Sequence, residues 1–124
     1  RPEDLRFHTL LHDDTRYEGR PDWNTWLRAA KVDNVDSSHG IHFNHGSLAL
    51  TAAIEGQGVV LSMKALASDD IAAGRLVTPF NISLPLEYAY YMITREEVTD
   101  HAHTAAFREW LLGEARQEEI SSKE

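Results

Sequence analysis

Seven histidines and 20 acidic side chains carry most of the reactive chemistry available to this 124-residue chain, which has no Cys. His39, His42 and His45 recur at steps of three, and His101 and His103 lie two apart. A metal ion would need such nitrogens to converge. On an extended strand, steps of three put successive side chains on opposite faces, and two positions on a helix lie about 200° apart, so neither group makes a ligand set. No metal and no cofactor is expected. The missing Cys removes disulfides, thiolate ligands and thiol nucleophiles together. Gly-x-Ser-x-Gly, His-Glu-x-x-His and the phosphate-binding Gly-x-x-x-x-Gly-Lys-Ser/Thr are absent from the sequence, and Gly56-Gln57-Gly58 lacks the rest of a dinucleotide fingerprint. With its carboxylates spread over surface-like positions, the chain is not expected to be an enzyme and no residue is assigned a catalytic role.

What remains is ligand binding, and the segment from Asn44 to Leu61 says where. Polar capping residues come first, then an almost wholly apolar helix over 47–55, a Gly56-x-Gly58 stop, and an apolar run over 59–62 rich in β-branched residues. In an open parallel sheet, the helix that follows a strand starts at the sheet's carboxyl edge, where backbone N–H groups and the positive end of the helix dipole can meet a small molecule. The carboxyl ends of the expected strands hold Asp13 and Asp14, then Asn44, His45 and Ser47, then Ser62 and Met63, and these are the candidate ligand contacts. Asn44 and Ser47 also suit plain helix capping, and Asp13 and Asp14 also suit a solvated turn.

The elements that must position these groups alternate helix and strand. Pro2, Glu3 and Asp4 favour a helical turn over 2–7, followed by a strand over 9–12 and a polar loop to residue 20. Asp22 can cap a helix in which Trp23, Trp26, Leu27 and Ala30 share one face, a spacing that marks the tryptophans as core rather than a stacking platform. A loop over 32–40 leads to a strand over 41–44. Beyond residue 62, a helical stretch over 63–67, a further turn from Ser68 and a stop at Gly74 are expected. Pro85 breaks the alternation of Ile82, Leu84 and Leu86. Glu87 to Thr94, with Tyr88, Tyr90, Tyr91 and Ile93, is the strongest strand by propensity. A last helix carries Ala106, Phe107, Trp110, Leu111 and Ala115 on one face and frays from Gln117. Strands alternating with helices define an α/β fold with a mainly parallel sheet.

The size fits one ordinary domain, and 12 basic against 20 acidic residues give a formal charge of −8, so duplex DNA should be repelled. No apolar run reaches the roughly 20 residues that span a bilayer and no leader precedes the first strand; no membrane partner and a cytoplasmic location are expected.

Pro2-Glu3-Asp4-Leu5, Thr9-Leu10-Leu11-His12-Asp13-Asp14, the Trp23 to Leu27 pattern, Gly56-x-Gly58-Val59 and Gly74-Arg75-Leu76-Val77-x-Pro79-Phe80 together resemble the effector-binding domain of LysR-type transcriptional regulators, nearest the glycine-cleavage activator subgroup. The resemblance runs on through Tyr88 to Ile93 and Phe107-Arg108-Glu109-Trp110-Leu111. It implies a periplasmic-binding-protein-like (type 2) fold, with residues 1–80 forming the effector-binding second subdomain. Residues 81–124 would be the crossover strand and helix of an incomplete first subdomain. It also implies a small-molecule effector, an amino acid or other small metabolite, bound at the strand ends named above, and DNA contacted only through a winged helix-turn-helix outside this sequence. In the family's side-by-side dimer the matching strand and helix meet a neighbouring protomer. That places Ile41, Phe43, Leu48, Thr51, Ala52 and Glu55 at a homodimer or larger interface. A periplasmic solute-binding fragment shares the fold, and a small α/β hydrolase or transferase is the enzymatic alternative.

Overall fold

The computed structural model describes residues 1–15, 20–86, 90–98 and 101–121, with backbone alone for Val98 and residues 118–121. A 3-10 helix, Pro2–Phe7, precedes β1 (Leu10–Asp13), α1 (Trp23–Ala29), β2 (Ile41–Phe43), α2 (Gly46–Ile54), β3 (Val59–Val60) and α3 (Lys64–Ala72). A short 3-10 turn, Glu96–Val98, and α4 (Ala102–Ser121) follow. By its internal contacts the chain divides into a unit over residues 1–88 and a unit over 89–124.

In the first unit the three strands form a parallel sheet in the order β2-β1-β3. β1 lies in the middle, with Leu11, His12 and Asp13 in register with Ile41, His42 and Phe43, and Leu10 and Leu11 in register with Val59 and Val60. A parallel sheet covered by helices buries its central strand on both faces, and Leu10 and Leu11 are 2% and 0% exposed. Leu10 joins Leu5, Trp23, Trp26, Leu27 and Val32 in one core cluster, while α2 packs across all three strands through a helix whose Ala49, Leu50 and Ala52 are buried. Each large apolar side chain so buried contributes roughly 1.5–3 kcal/mol.

Asp22 caps α1 as its position requires, accepting from the Thr25 amide at 2.8 Å. The start of α2 differs from expectation. His45 is the N-cap, its ring accepting from the Ser47 amide at 3.4 Å, so the helix begins one residue early at Gly46 and ends at Ile54. Gly56 closes it with φ +72, its amide bonding Ala53 and the amide of Gln57 bonding Ala52, a left-handed stop that glycine adopts without steric cost. α3 runs unbroken through Ser68, whose hydroxyl donates back to the Ala65 carbonyl at 3.1 Å instead of starting a new turn.

Two expectations for the carboxyl-terminal part are corrected. Tyr90–Thr94 forms no strand, while Glu87–Ala89, the start of that expected strand, lie outside the described residues. Strand propensity is realised only where a neighbour completes the hydrogen-bond ladder, and among the described residues none runs beside this segment. The last helix continues to Ser121 instead of fraying from Gln117. Phe80, Ile82 and Leu84 pack on the first unit's core, and the Trp26 indole donates to the Ile82 carbonyl at 3.2 Å.

Candidate functional site

Because β2 and β3 flank β1 on opposite sides, the chain changes direction between β1 and β3, and a crevice opens at the carboxyl ends of those strands. A cleft of about 60 Å³ lies there, lined by Leu11, His12, Asp13 and Asp14 of β1 and its exit, by Arg20, Asp22 and Trp23 at the approach to α1, and by Leu61 after β3. Trp23 is fixed by its indole N–H, which donates to the Leu11 carbonyl at 3.1 Å.

Asp13 organises the floor. Its side chain is only 4% exposed, yet one carboxylate oxygen accepts from both the amide and the hydroxyl of Thr15 and the other accepts from the Arg20 guanidinium. Burial alone would raise its pKa, but the Thr15 bonds and Arg20 outweigh it and hold the carboxyl below its ordinary value. The same carboxylate lies against the first residue of α2: a Cβ on Gly46 would fall 2.3 Å from Asp13 Oδ2. An internal anion therefore already stands where the helix dipole would receive one. Arg20 keeps further N–H donors on the same planar group, and its side chain is 14% exposed.

Asp14 is exposed at the rim and meets His42 of β2, with the ring Nδ1 3.0 Å from Oδ2. The Asp14 bond, working against slight desolvation, raises the His42 pKa above its ordinary 6.5. The His42 ring stacks on His12, with centroids 4.1 Å apart and planes 8° from parallel. Of the three histidines spaced by three, only His42 sits in a strand. His39 is in the preceding loop, where its carbonyl meets His12 Nε2 at 3.3 Å, and His45 caps α2.

Of the sequence-derived ligand contacts, the structure brings Asp13 and Asp14 into the cleft. Asn44, His45 and Ser47 are exposed around the start of α2, where the Ser47 hydroxyl lies 2.8 Å from the His45 ring nitrogen, and the half-buried Ser62 and Met63 follow β3. None of these five lines the cleft. Arg20 does, and the sequence reading passed over it. The available signal was a pair of cations, Arg16 and Arg20, between Asp13-Asp14 and Asp22, a charge pattern that asks for a pairing. On the side of α2 and β2 away from the core, Ile41, Leu48, Thr51 and Glu55 are exposed and Phe43 is half-buried. Ala52 does not belong with them. It is 5% exposed, turned into the chain's own packing.

Parallel strands in the order 2-1-3 with a crevice at their carboxyl ends make an α/β fold consistent with the periplasmic-binding-protein-like kind, and the chain is similar to the solved effector domain of the transcriptional regulator AmpR of Pseudomonas aeruginosa. That structure matches with a TM-score of 0.65 at 26% identity, over 99% of this chain and 58% of the other. Residues 1–116 match the LysR substrate binding domain, and the chain belongs to that family. It is 41% identical over 118 residues to the glycine cleavage system transcriptional activator of Escherichia coli (strain K12), covering 95% of this chain and 37% of the relative. It is 34% identical to the homolog of that activator in Haemophilus influenzae, covering 95% and 38%. The chain thus spans little more than a third of the length of these curated relatives, 37% and 38%.

Proposed function

We propose that this chain is the effector-sensing part of a bacterial LysR-type transcriptional regulator, acting by binding rather than by catalysis, in the cytoplasm where its DNA lies. The observation that carries the reading is the cleft at the β1 and β3 strand ends, in a chain whose relatives are transcriptional regulators. Arg20 supplies a cation for a ligand carboxylate, and Asp14 and Asp22 supply anions for an amine, so a small metabolite such as an amino acid fits the cleft's polarity. Asn44, His45, Ser47, Ser62 and Met63 lie on neighbouring strand and helix ends and join the site when a larger ligand or a second subdomain extends it. Residues 1–80 act as the second subdomain, and residues 81–124 contribute to the first. A net charge of −8 leaves DNA contact to a winged helix-turn-helix outside this sequence. Ile41, Phe43, Leu48, Thr51 and Glu55 form the face that meets a second protomer in a homodimer or larger assembly.

Titrating the isotope-labelled chain with amino acids and small carboxylates tests the placement. Amide shifts are expected at Leu11 to Asp14, Arg20 to Trp23 and Leu61, with weak affinity because a single subdomain supplies only part of a cleft. Arg20→Ala should abolish the response to carboxylates. Shifts confined to α4, or a response untouched by Arg20→Ala, refute it.

A further inference from the structure

We propose that His42, Asp14 and His12 form a proton-set clasp between the edge strand β2 and the central strand β1, closed when His42 is charged and loosened when it is neutral. β2 is only three residues long and leads within two residues into α2, so the way it is fastened to β1 sets how firmly the start of α2 is held at the cleft. The backbone supplies the in-register pairing and, at its end, the Asp14 amide bonding the Phe43 carbonyl at 2.8 Å. The side chains add two cross-links on one face. His42 reaches the Asp14 carboxylate, with Nδ1 at 3.1 and 3.0 Å from its two oxygens. His12 reaches back to the His39 carbonyl at 3.3 Å, which pins the loop just before β2.

Acceptor chemistry fixes the proton positions. A carboxylate and a carbonyl only accept, so His42 donates from Nδ1 and His12 donates from Nε2. When His42 carries its second proton, its bond to the Asp14 carboxylate becomes an ion pair as well as a hydrogen bond, and the imidazolium lies face to face with the His12 ring at 4.1 Å, a cation against a π face. Among the described residues, the other charged or titratable groups on the surrounding elements include Asp13 and Arg20, paired with each other; Asp22 at the cap of α1, whose carboxyl is influenced by His12; Asp33, Asp36 and His39 in the preceding loop; and His45 at the cap of α2. The direction follows from linkage. A histidine whose pKa is raised on folding stabilises the fold fully below 6.5, and that contribution disappears as pH climbs through the raised value. The clasp is therefore tight on the mildly acid side and slack above neutrality. It uses Asp14 at the rim, so it also decides whether that carboxylate is engaged with β2 or free to face the cleft.

The test is a histidine-resolved NMR titration of the full chain, paired with hydrogen exchange of the position-14 amide, in the parent, Asp14→Asn and His12→Leu chains. His42 should titrate above 6.5 in the parent, and its midpoint should fall in Asp14→Asn. Protection of the position-14 amide should drop by roughly two- to five-fold in Asp14→Asn at acid pH, the range of an exposed ion pair, with the two chains converging at alkaline pH. His12→Leu, which leaves the Asp14 pair in place, should move the amides of residues 36–40 and lower the His42 midpoint. A His42 midpoint unchanged by both substitutions, or a protection ratio that is the same at acid and alkaline pH, overturns the proposal. His42 and Asp14 are exposed and His12 is half-buried, and none of them belongs to the core cluster, so each variant keeps the packing that holds the first unit together.

Discussion

The two units of this chain treat the same kind of side chain in opposite ways. In the first, Trp23 and Trp26 are each 4% exposed and meet edge to face at 5.7 Å; in the second, Phe107 and Trp110 make a comparable ring pair at 5.6 Å, yet each is 57% exposed. Both pairs sit on helices with apolar residues at helical spacing. What separates them is the sheet. α1 has β1 and the returning segment Phe80, Ile82 and Leu84 to pack on, whereas Tyr90, Tyr91 and Ile93 in the second unit remain 80%, 83% and 90% exposed. Amphipathic patterning marks a face for burial, and only a partner surface turns that face into a core.

The sharpest way to break this comparison is to truncate one tryptophan from each pair. Trp26→Ala should cost about 3–5 kcal/mol, through the lost burial and the cavity left behind, whereas Trp110→Ala should fall within about 0.5 kcal/mol. Urea unfolding followed by circular dichroism measures both. Equal losses would mean that α4 has a buried face in solution, and light scattering across a concentration series would then show whether a second copy provides it.

A glycine from each unit gives a smaller contrast of opposite sign. Gly46→Ala drives a methyl group into the Asp13 carboxylate and should destabilise by about 1–3 kcal/mol. Gly113 lies inside α4 with nothing within 4 Å of its would-be Cβ, so Gly113→Ala should stabilise that helix by about 0.5–1 kcal/mol. Thermal melts of the two single variants decide it, and a destabilising Gly113→Ala would reveal a close neighbour on α4.

The smallest effect is at a helix start. Asp22→Ala should cost roughly 0.5–2 kcal/mol near neutral pH by removing the α1 cap. The Thr25 hydroxyl and amide hold the Asp22 carboxyl below its ordinary 3.8. For a carboxyl depressed in this way the stabilisation is complete above the unfolded value and is lost as pH falls through the folded one. Parent and variant melting temperatures should therefore converge on acidification below about pH 4, and a constant gap would show that the cap acts without its charge.

Helix α1 was legible because every local signal agreed: an acidic cap at Asp22 and three large side chains one turn apart. The parallel sheet was legible from the alternation of elements, and the order 2-1-3 required coordinates, because no residue in a three-residue strand records its neighbour. The cap of α2 misled because Asn44 and Ser47 are better cap formers than His45, and the imidazole nitrogen took the role through geometry. Arg20 was missed because its partner, Asp13, lies seven residues back across a loop with no periodic signature. The strand expected at 87–94 shows the limit of propensity. Aromatic and β-branched residues favour a ladder, and among the described residues there is none for residues 90–94 to join.

The indole of Trp26 has a mechanical role besides its packing one. It holds the Ile82 carbonyl, lies tilted against Phe80 with centroids 5.6 Å apart and abuts Trp23, whose own indole holds the carbonyl of Leu11 in β1. The backbone at Ile82 is thus tied to the cleft by a line of two indoles that passes through α1 and ends one residue from His12.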